Sequence, residues 1–421
     1  MTTALAQDNL AVTNTTDNAS ANATSTNAVS LTKPFEIPLQ WGALHFHPRV
    51  TAGVTYDDNL LFTTTHQESD ACWWLQPGFQ AVLGDDESLV PLRDEHIDPL
   101  TLNPGYLIVQ PPDQWLGKIA ILDYSPRFKY YDEYTALDST DEFLTLDTLW
   151  PMDKLILGFR QDYQLQKAII IEADQFATTE NINTTLSAAY QFGDKTSLES
   201  DFHLLDISYD LPGLIGYTEY NTEDWFNYNL TELMPVSLGM LAGYDSVDAS
   251  GQDQSYEQVR ARVRYNLSEK LTFDGSFGGE LRQYENGESD TLTPVFTLVG
   301  TYRLTERTTL SLAGYRQVYA SILNGYNYTG TGASLGCSQE ITDRFTVNAN
   351  LGYYFLDFTA VNRTLANYSE DYYNARLSLQ AKILHHLIGA VYYNLNLISS
   401  QSSGIGQRTD NQLGVNLSLT Y

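Results

Sequence analysis

Three arginines, Arg260, Arg262 and Arg264, stand at alternate positions of one short stretch. Val259, Ala261, Val263 and Tyr265 fill the places between them. Successive side chains of an extended chain point to opposite faces, so this spacing sets the guanidiniums on one face and an apolar stripe on the other. Arg282 and Arg303 fall on the polar rows of the next two such stretches, and Arg376 and Lys382 on that of a later one. Asp274 and Glu280 lie on the stretch beside the three arginines and can supply carboxylate partners. Charge packed this densely must meet water, carboxylates or a ligand. Two arrangements satisfy it: a wetted basic wall that selects anionic or hydroxyl-rich solutes, or a salt-bridge network in a filled interior. The spacing leaves both open.

Other candidates are weaker. His45 and His47, two apart on one face, could share a metal, but no third ligand stands near them, so an interfacial or lumenal role is the plainer reading. His385-His386 falls in a predicted turn and reads as solvated. A barrel-type serine hydrolase would need a Ser-His pair on its outer face; His203 is the sole histidine at a strand centre, and no enzyme is expected. Asp57-Asp58 could hold Ca²⁺ at a loop rim, against the simpler reading of a solvated acidic loop. Cys72 and Cys337 are too few for a disulfide framework or a zinc site, and no cofactor or metal is implied.

The elements that must position these residues are strands. The chain of 421 residues carries 29 Tyr and 28 Gly, with 52 acidic against 23 basic residues and a net charge of −29. That sign excludes general nucleic-acid binding, which needs Lys and Arg to neutralise phosphates. No run approaches the ~18 apolar residues of a membrane-spanning helix. Two-residue alternation recurs from about residue 46 onward. Ile182, Thr184, Leu186, Ala188, Tyr190 and Phe192 share one face; so do Leu271, Phe273, Gly275 and Phe277, and finally Leu413, Val415, Leu417, Leu419 and Tyr421. About eighteen such segments reach the ~9–11 residues that a tilted strand needs to cross a bilayer. Short connections such as Gly193-Asp194-Lys195 and Thr342-Asp343-Arg344 alternate with longer acidic ones such as 57–70, 166–180 and 359–370. This predicts an all-β fold: a single closed antiparallel transmembrane barrel of about 18 strands, with short periplasmic turns and longer acidic extracellular loops. Tyr and Phe near strand ends, such as Tyr190, Phe273, Tyr353 and Tyr393, predict two aromatic girdles.

Some features break the pattern. Pro77 and Pro294 interrupt strand-like runs and should lie at bulges or near the rim. The apolar face changes parity within 196–209 and 308–321, which suggests a bulge or a misplaced boundary. Residues 84–114, rich in Pro and Asp, read as an insertion on the periplasmic side. Residues 1–40 stand apart from the barrel of 41–421: Ala4-Leu5-Ala6 looks like the cleavage end of a signal peptide, and 7–30 has the composition of a disordered segment.

The run Val54-Thr55-Tyr56-Asp57-Asp58-Asn59 resembles the opening of a family of bacterial outer-membrane β-barrel porins often encoded with exopolysaccharide biosynthesis and export genes. Trp74 through Pro77-Gly78-Phe79 is similar to that family's second-strand motif. The end, Leu417-Ser418-Leu419-Thr420-Tyr421, resembles the targeting signal of outer-membrane barrels, with Tyr421 where Phe is commoner. The architectural likeness spans roughly 46–421, the specific motifs only a small part of it. The resemblance implies a Gram-negative outer membrane, contact with its lipid, reading of Leu417, Leu419 and Tyr421 by the barrel-insertion machinery, and a link to polysaccharide or its export components. It carries no catalytic residues and says nothing of oligomeric state. The expected function is a passive channel or docking platform for hydrophilic solutes. The alternative is a structural or adhesive outer-membrane protein with a closed lumen and acidic loops that bind divalent cations; a soluble all-β carbohydrate-binding protein comes third.

Overall fold

The computed structural model describes residues 40–84, 118–170, 172–173, 175–231, 234–268, 270–285, 290–360, 365–400 and 406–420. The strands are β1 Gln40–Trp41, β2 Leu44–Asp57, β3 Asp70–Gly84, β4 Ile119–Tyr124, β5 Arg127–Tyr131, β6 Ser139–Pro151 and β7 Leu155–Ile170. Next come β8 Gln175–Gly193, β9 Thr196–Tyr209, β10 Tyr217–Thr231, β11 Met234–Val247, β12 Gln254–Ser268, β13 Leu271–Tyr284 and β14 Thr291–Thr305. The last six are β15 Thr308–Ala320, β16 Tyr326–Thr342, β17 Phe345–Ala360, β18 Tyr368–Leu384, β19 Leu387–Ser400 and β20 Gln407–Thr420. Each pairs antiparallel with its neighbours, and β20 returns to β2, from Arg49 opposite Thr420 to Asp57 opposite Gln412. With β1 a two-residue appendage of β2, and β4 and β5 halves of one strand, the result is a closed barrel of 18 strands.

Closure follows from the outward residues. Leu186 is 49% exposed on β8, while its neighbours Thr185 and Ser187 are buried facing the interior. The same alternation exposes Val259, Phe277, Leu351, Leu377 and Val415 around the wall. An outward surface so apolar belongs in lipid, where an open sheet edge would leave backbone groups unpaired at several kcal/mol each. Tyr56, Trp73, Tyr130, Tyr220, Tyr244, Tyr353, Tyr373 and Tyr393 ring the loop end; Trp150, Tyr190, Phe192, Phe273, Tyr302 and Phe345 ring the turn end. Rings with polar handles settle at headgroup level and fix the barrel's depth.

The apparent parity switches prove to be regular strands. β9 keeps one register against β10, with Glu199, Asp201, His203, Leu205 and Ile207 all buried on the inner row. Leu205 and Ile207 are apolar because near the loop end the inner face packs on Tyr217 and Ala320. β15 behaves alike: Leu312 is exposed, while Tyr315 is buried in an internal cluster with Tyr319 packed against it. Pro77 lies at neither bulge nor rim. Leu75 opposite Phe128 and Phe79 opposite Tyr124 keep one register on either side of it, which sets Pro77 against Pro126. The Ser125 amide points the other way, to the Phe143 carbonyl at 2.9 Å. The next residue along, Pro126, therefore faces β3. The prolines cancel both hydrogen bonds of a single pair, and for that reason β4 and β5 read as two strands.

Four connections meet over the loop-side mouth. Ile215 N–H donates to the Ile322 carbonyl at 2.9 Å, and Leu214 bridges Leu323. Ser321 Oγ donates to Glu172 Oε2 at 3.0 Å, and the Gly325 amide to Gln252 Oε1 at 3.1 Å. Ile170, Ala177 and Ile322 form the buried heart of this lid. Beneath it the β2–β3 connection turns Phe62 inward onto Ile169, Tyr315, Tyr354, Tyr372 and Ile398. Phe62 holds a left-handed φ of 53°, costly for a bulky residue. Asn59 holds the turn by donating to the carbonyls of Thr63 and Thr409, at 2.9 and 2.8 Å, while its Oδ1 accepts from the Thr63 amide at 3.0 Å. Gly84 pairs with Ile119 on the turn side, and residues 85–117 between them lie outside the described residues, as do residues 1–39.

The depth dependence of the outer face is testable. Leu379→Arg should cost roughly 2–4 kcal/mol and Leu384→Arg, exposed beside a turn, about 0–1 kcal/mol. Equal costs in denaturant-linked refolding into bilayers would contradict the assigned lipid face.

Candidate functional site in the lumen

Lumenal arginines lie on rings, and the rings lie on glycines. Trp225 of β10 stands opposite Gly239 of β11, where a methyl group would overlap the indole. The bare backbone lets the ring lie flat on the wall, and from β12 Arg262 and Arg260 place their guanidiniums 4.2 and 5.5 Å from its centre. Tyr256 lies on Gly243 in the same way, with Arg282 4.4 Å above it. Tyr392 lies on Gly414 beneath Arg376 at 4.9 Å, and Trp74 on Gly53 beneath Arg127 at 5.5 Å. A cation over an aromatic face gains about 0.5–2 kcal/mol, the more so where water is scarce.

Carboxylates answer these charges. Arg260 Nη2 donates to Glu223 Oε1 at 2.6 Å, and Trp225 Nε1 to the same oxygen at 2.8 Å. Arg262 Nη2 reaches Glu199 Oε2 at 2.7 Å and Asn227 Oδ1 at 2.9 Å. Arg264 Nε pairs with Asp274 Oδ2 at 2.5 Å. Arg282 bridges Asp245 at 2.9 Å and Glu280 at 2.7 Å, and Gln258 donates to the other Glu280 oxygen. Of the expected residues, the fold thus brings together Arg260, Arg262, Arg264, Arg282, Asp274 and Glu280 on β12 and β13. Arg303 and Lys382 sit half-buried near the turn ends of β14 and β18, and Arg376 belongs to the other side of the barrel. The principal partners Glu199, Glu223 and Asp245 went unread in the sequence. Their signal was present: each falls on the inner row of β9, β10 or β11.

The wall from β17 to β20 is of another kind, with Asn348, Asn350, Asn374, Asn394, Asn396 and Gln412 buried among Tyr354, Tyr372 and Tyr392. Tyr372 Oη and Asn374 Nδ2 both donate to Asn396 Oδ1, at 2.8 and 2.7 Å, and Asn396 Nδ2 donates to Asp410 at 3.0 Å. The Oδ1 atoms of Asn350, Asn374 and Asn394 are buried without a donor among the described residues. A buried acceptor left so costs about 1–3 kcal/mol. Small wall residues such as Thr185, Ser276 and Ser378 are themselves buried, because longer neighbouring side chains lie across them along the wall.

The remaining candidates find structural places. His45 and His47 sit on β2 opposite Val82 and Gln80, near the turn end. His203 is buried on the inner row with Nδ1 3.1 Å from Thr185 Oγ1, away from the outer face that a barrel hydrolase would use. His386 Nδ1 lies 3.0 Å from the Thr420 carbonyl oxygen, and its own carbonyl accepts from the Thr420 amide, so the β18–β19 turn holds the end of β20. Asp57 and Asp58 gain a third neighbour, Asp410, within 4.8 Å, but amides of Asn59, Asn411 and Gln412 already occupy oxygens of all three. Cys72 and Cys337 are unbridged. Leu417 faces outward on β20 and Leu419 pairs with Val50 and Leu387; Tyr421 lies outside the described residues.

Breaking one of these pairs strands its partner. Arg262→Gln should destabilise the barrel by roughly 3–5 kcal/mol, and adding Glu199→Gln should recover much of that. Heat-modifiability on gels reads both, and a double variant no more stable than the single would refute the pairing.

Fold and site together define a transmembrane β-barrel of the outer-membrane type, its lumen lined by ion pairs, tyrosines and amides. No family model and no curated protein matches the chain. Among solved structures it is similar to OpdK of Pseudomonas aeruginosa, at 10% identity and a TM-score of 0.45 over 89% of this chain and 99% of that one. It is similar also to OccAB3 of Acinetobacter baumannii, at 9% and 0.47 over 90% and 99%, and to OccK9 (OpdG) of P. aeruginosa, at 11% and 0.47 over 90% and 98%. At such scores the likeness is one of general architecture.

Proposed function

We propose that this protein is a selective outer-membrane channel for hydrophilic, hydroxyl-rich solutes, with a lid of loops over its outer mouth. One observation carries the reading: a polar lumen in which two walls offer different chemistry under a shared lid. Arg260, Arg262, Arg264 and Arg282 with their carboxylates form one wall, a lattice of donors and acceptors of both signs. The Tyr and Asn wall carries two arginines, Arg376 and Arg408, against two carboxylates, Glu370 and Asp410, and its unmatched amide oxygens suit hydroxyl donors. The likeness of Val54–Asn59 to exopolysaccharide-linked porins adds a polysaccharide as a candidate solute. Such a barrel works passively, and the lid residues Glu172, Ser321 and Ile322 set when it opens.

Refolded protein in planar bilayers tests this. Expected are discrete ohmic steps, larger or more frequent in Ile322→Ser, which weakens the lid's apolar heart. Replacing Arg264, the least buried of the row, with Gln should then move the reversal potential towards cations, most clearly at low salt, where screening is weak. Silence of both wild type and Ile322→Ser at all voltages would favour a closed structural barrel.

The C-terminal strand serves assembly in this reading. Removing residues 417–421 takes the last inter-strand bonds from β2 and with them Leu417, Leu419 and Tyr421, so the variant should accumulate as unassembled periplasmic protein. Normal levels of heat-modifiable barrel after the deletion would refute that role.

A further inference from the structure

The wall is not sealed everywhere. β14 pairs with β15 only from Phe296 opposite Arg316 towards the turn. Beyond that point β14 continues through Thr291–Val295 bound only to β13, and β15 continues through Gln317–Ala320 bound only to β16, among the described residues. Extending the register sets Pro294 against Val318. Proline has no N–H to give, and the Val318 carbonyl takes its hydrogen bond instead from Arg282 Nη2 at 3.2 Å. Past Ala320 the chain dives into the lid, where Ile322 packs on Ile170 and Ala177. The lid thus draws the end of β15 inward, away from β14, and Pro294 removes the bond that would resist.

The seam joins two environments. On the outer face stand Leu292, 77% exposed, with Pro294 and Phe296, and opposite Phe296 the outward-row Arg316, whose Nη1 donates to Thr331 Oγ1 at 2.7 Å. On the inner face lie Glu280, Asp245 and Arg282, with Gln317 and Tyr319, two carboxylates to one cation. Outside, the gap is apolar but for Arg316, which is already held by Thr331; inside, beneath the lid, two carboxylates face one cation, so the lumenal end suits an uncharged, hydroxyl-bearing head and disfavours an anionic one. We infer that the β14–β15 seam is a lateral port, through which the polyhydroxyl head of a non-ionic amphipath enters the lumen beneath the lid while its chain stays in the membrane.

A dodecyl maltoside analogue with a diazirine on its chain tests the port, using protein in lipid nanodiscs and a Cys72→Ser, Cys337→Ser background. Photolabel should concentrate on residues 291–296 and 317–320. Excess dodecyl maltoside should compete, whereas free maltose and dodecyl sulfate should not. Val295→Cys with Gln317→Cys, next to the last formed pair, should zip the seam on oxidation, lower this labelling about tenfold and release it on reduction. Pro294→Val, which returns an N–H to the Val318 carbonyl, should lower labelling without any disulfide, and it decides the matter if the cysteine pair does not assemble. Label spread evenly around the outer face, seam labelling untouched by zipping, or equal competition by dodecyl sulfate would overturn the inference. None of these readouts depends on conductance, so the port and the channel stand or fall separately.

Discussion

Every backbone N–H and C=O at membrane depth must find its partner within the protein, because lipid offers none. This demand explains the return of β20 to β2 and the unbroken ladder around most of the wall. It also gives weight to the exceptions. At Pro77 and Pro126 two missing donors are set face to face, so the loss falls on one pair while the register continues on either side. At Pro294 the loss falls where two strands part, and an arginine side chain serves the stranded carbonyl.

The same scarcity of water orders the interior. A buried guanidinium is costly unless a carboxylate and further donors or acceptors surround it. Arg262 and Arg282 meet that condition three ways at once, through an acidic partner, an aromatic face beneath, and an amide or backbone carbonyl alongside; Arg260 meets it through Glu223 and the Trp225 ring. Such pairs add specificity more than net stability. Their lasting effect is to hold side chains of fixed shape and charge against the wall. The amide and tyrosine side relies mainly on hydrogen bonds, with Arg376 over Tyr392 and the Arg408–Glu370 pair beside them, and leaves some oxygens unmatched.

Much of the architecture was legible in the amino-acid chain because the barrel has one governing period. Alternation of Leu186 with Thr185, or of Val263 with Arg262, specifies which residues face outward without knowledge of any partner strand. Alternation fails where the inner face is also apolar: Leu205 and Ile207 look like a register error until the lid above them is seen. The site was half legible. The arginine row declared itself, but Glu199, Glu223 and Asp245 lie on strands before it, and nothing local in the sequence joins residues so far apart. The lid was illegible, since its contacts link connections whose meeting depends on the curvature of the whole wall.

Alternation has a further weakness that the ring-on-glycine contacts repair. A slip of one residue turns every side chain to the wrong face, but a slip of two restores the faces and goes unpunished by hydrophobicity. Trp74 over Gly53, Trp225 over Gly239, Tyr256 over Gly243 and Tyr392 over Gly414 are not restored by it, for the ring would then strike a side chain in place of bare backbone. Each contact therefore acts as a key cut for one alignment of its two strands, allowing a chain of near-interchangeable hairpins to zip up in a single frame.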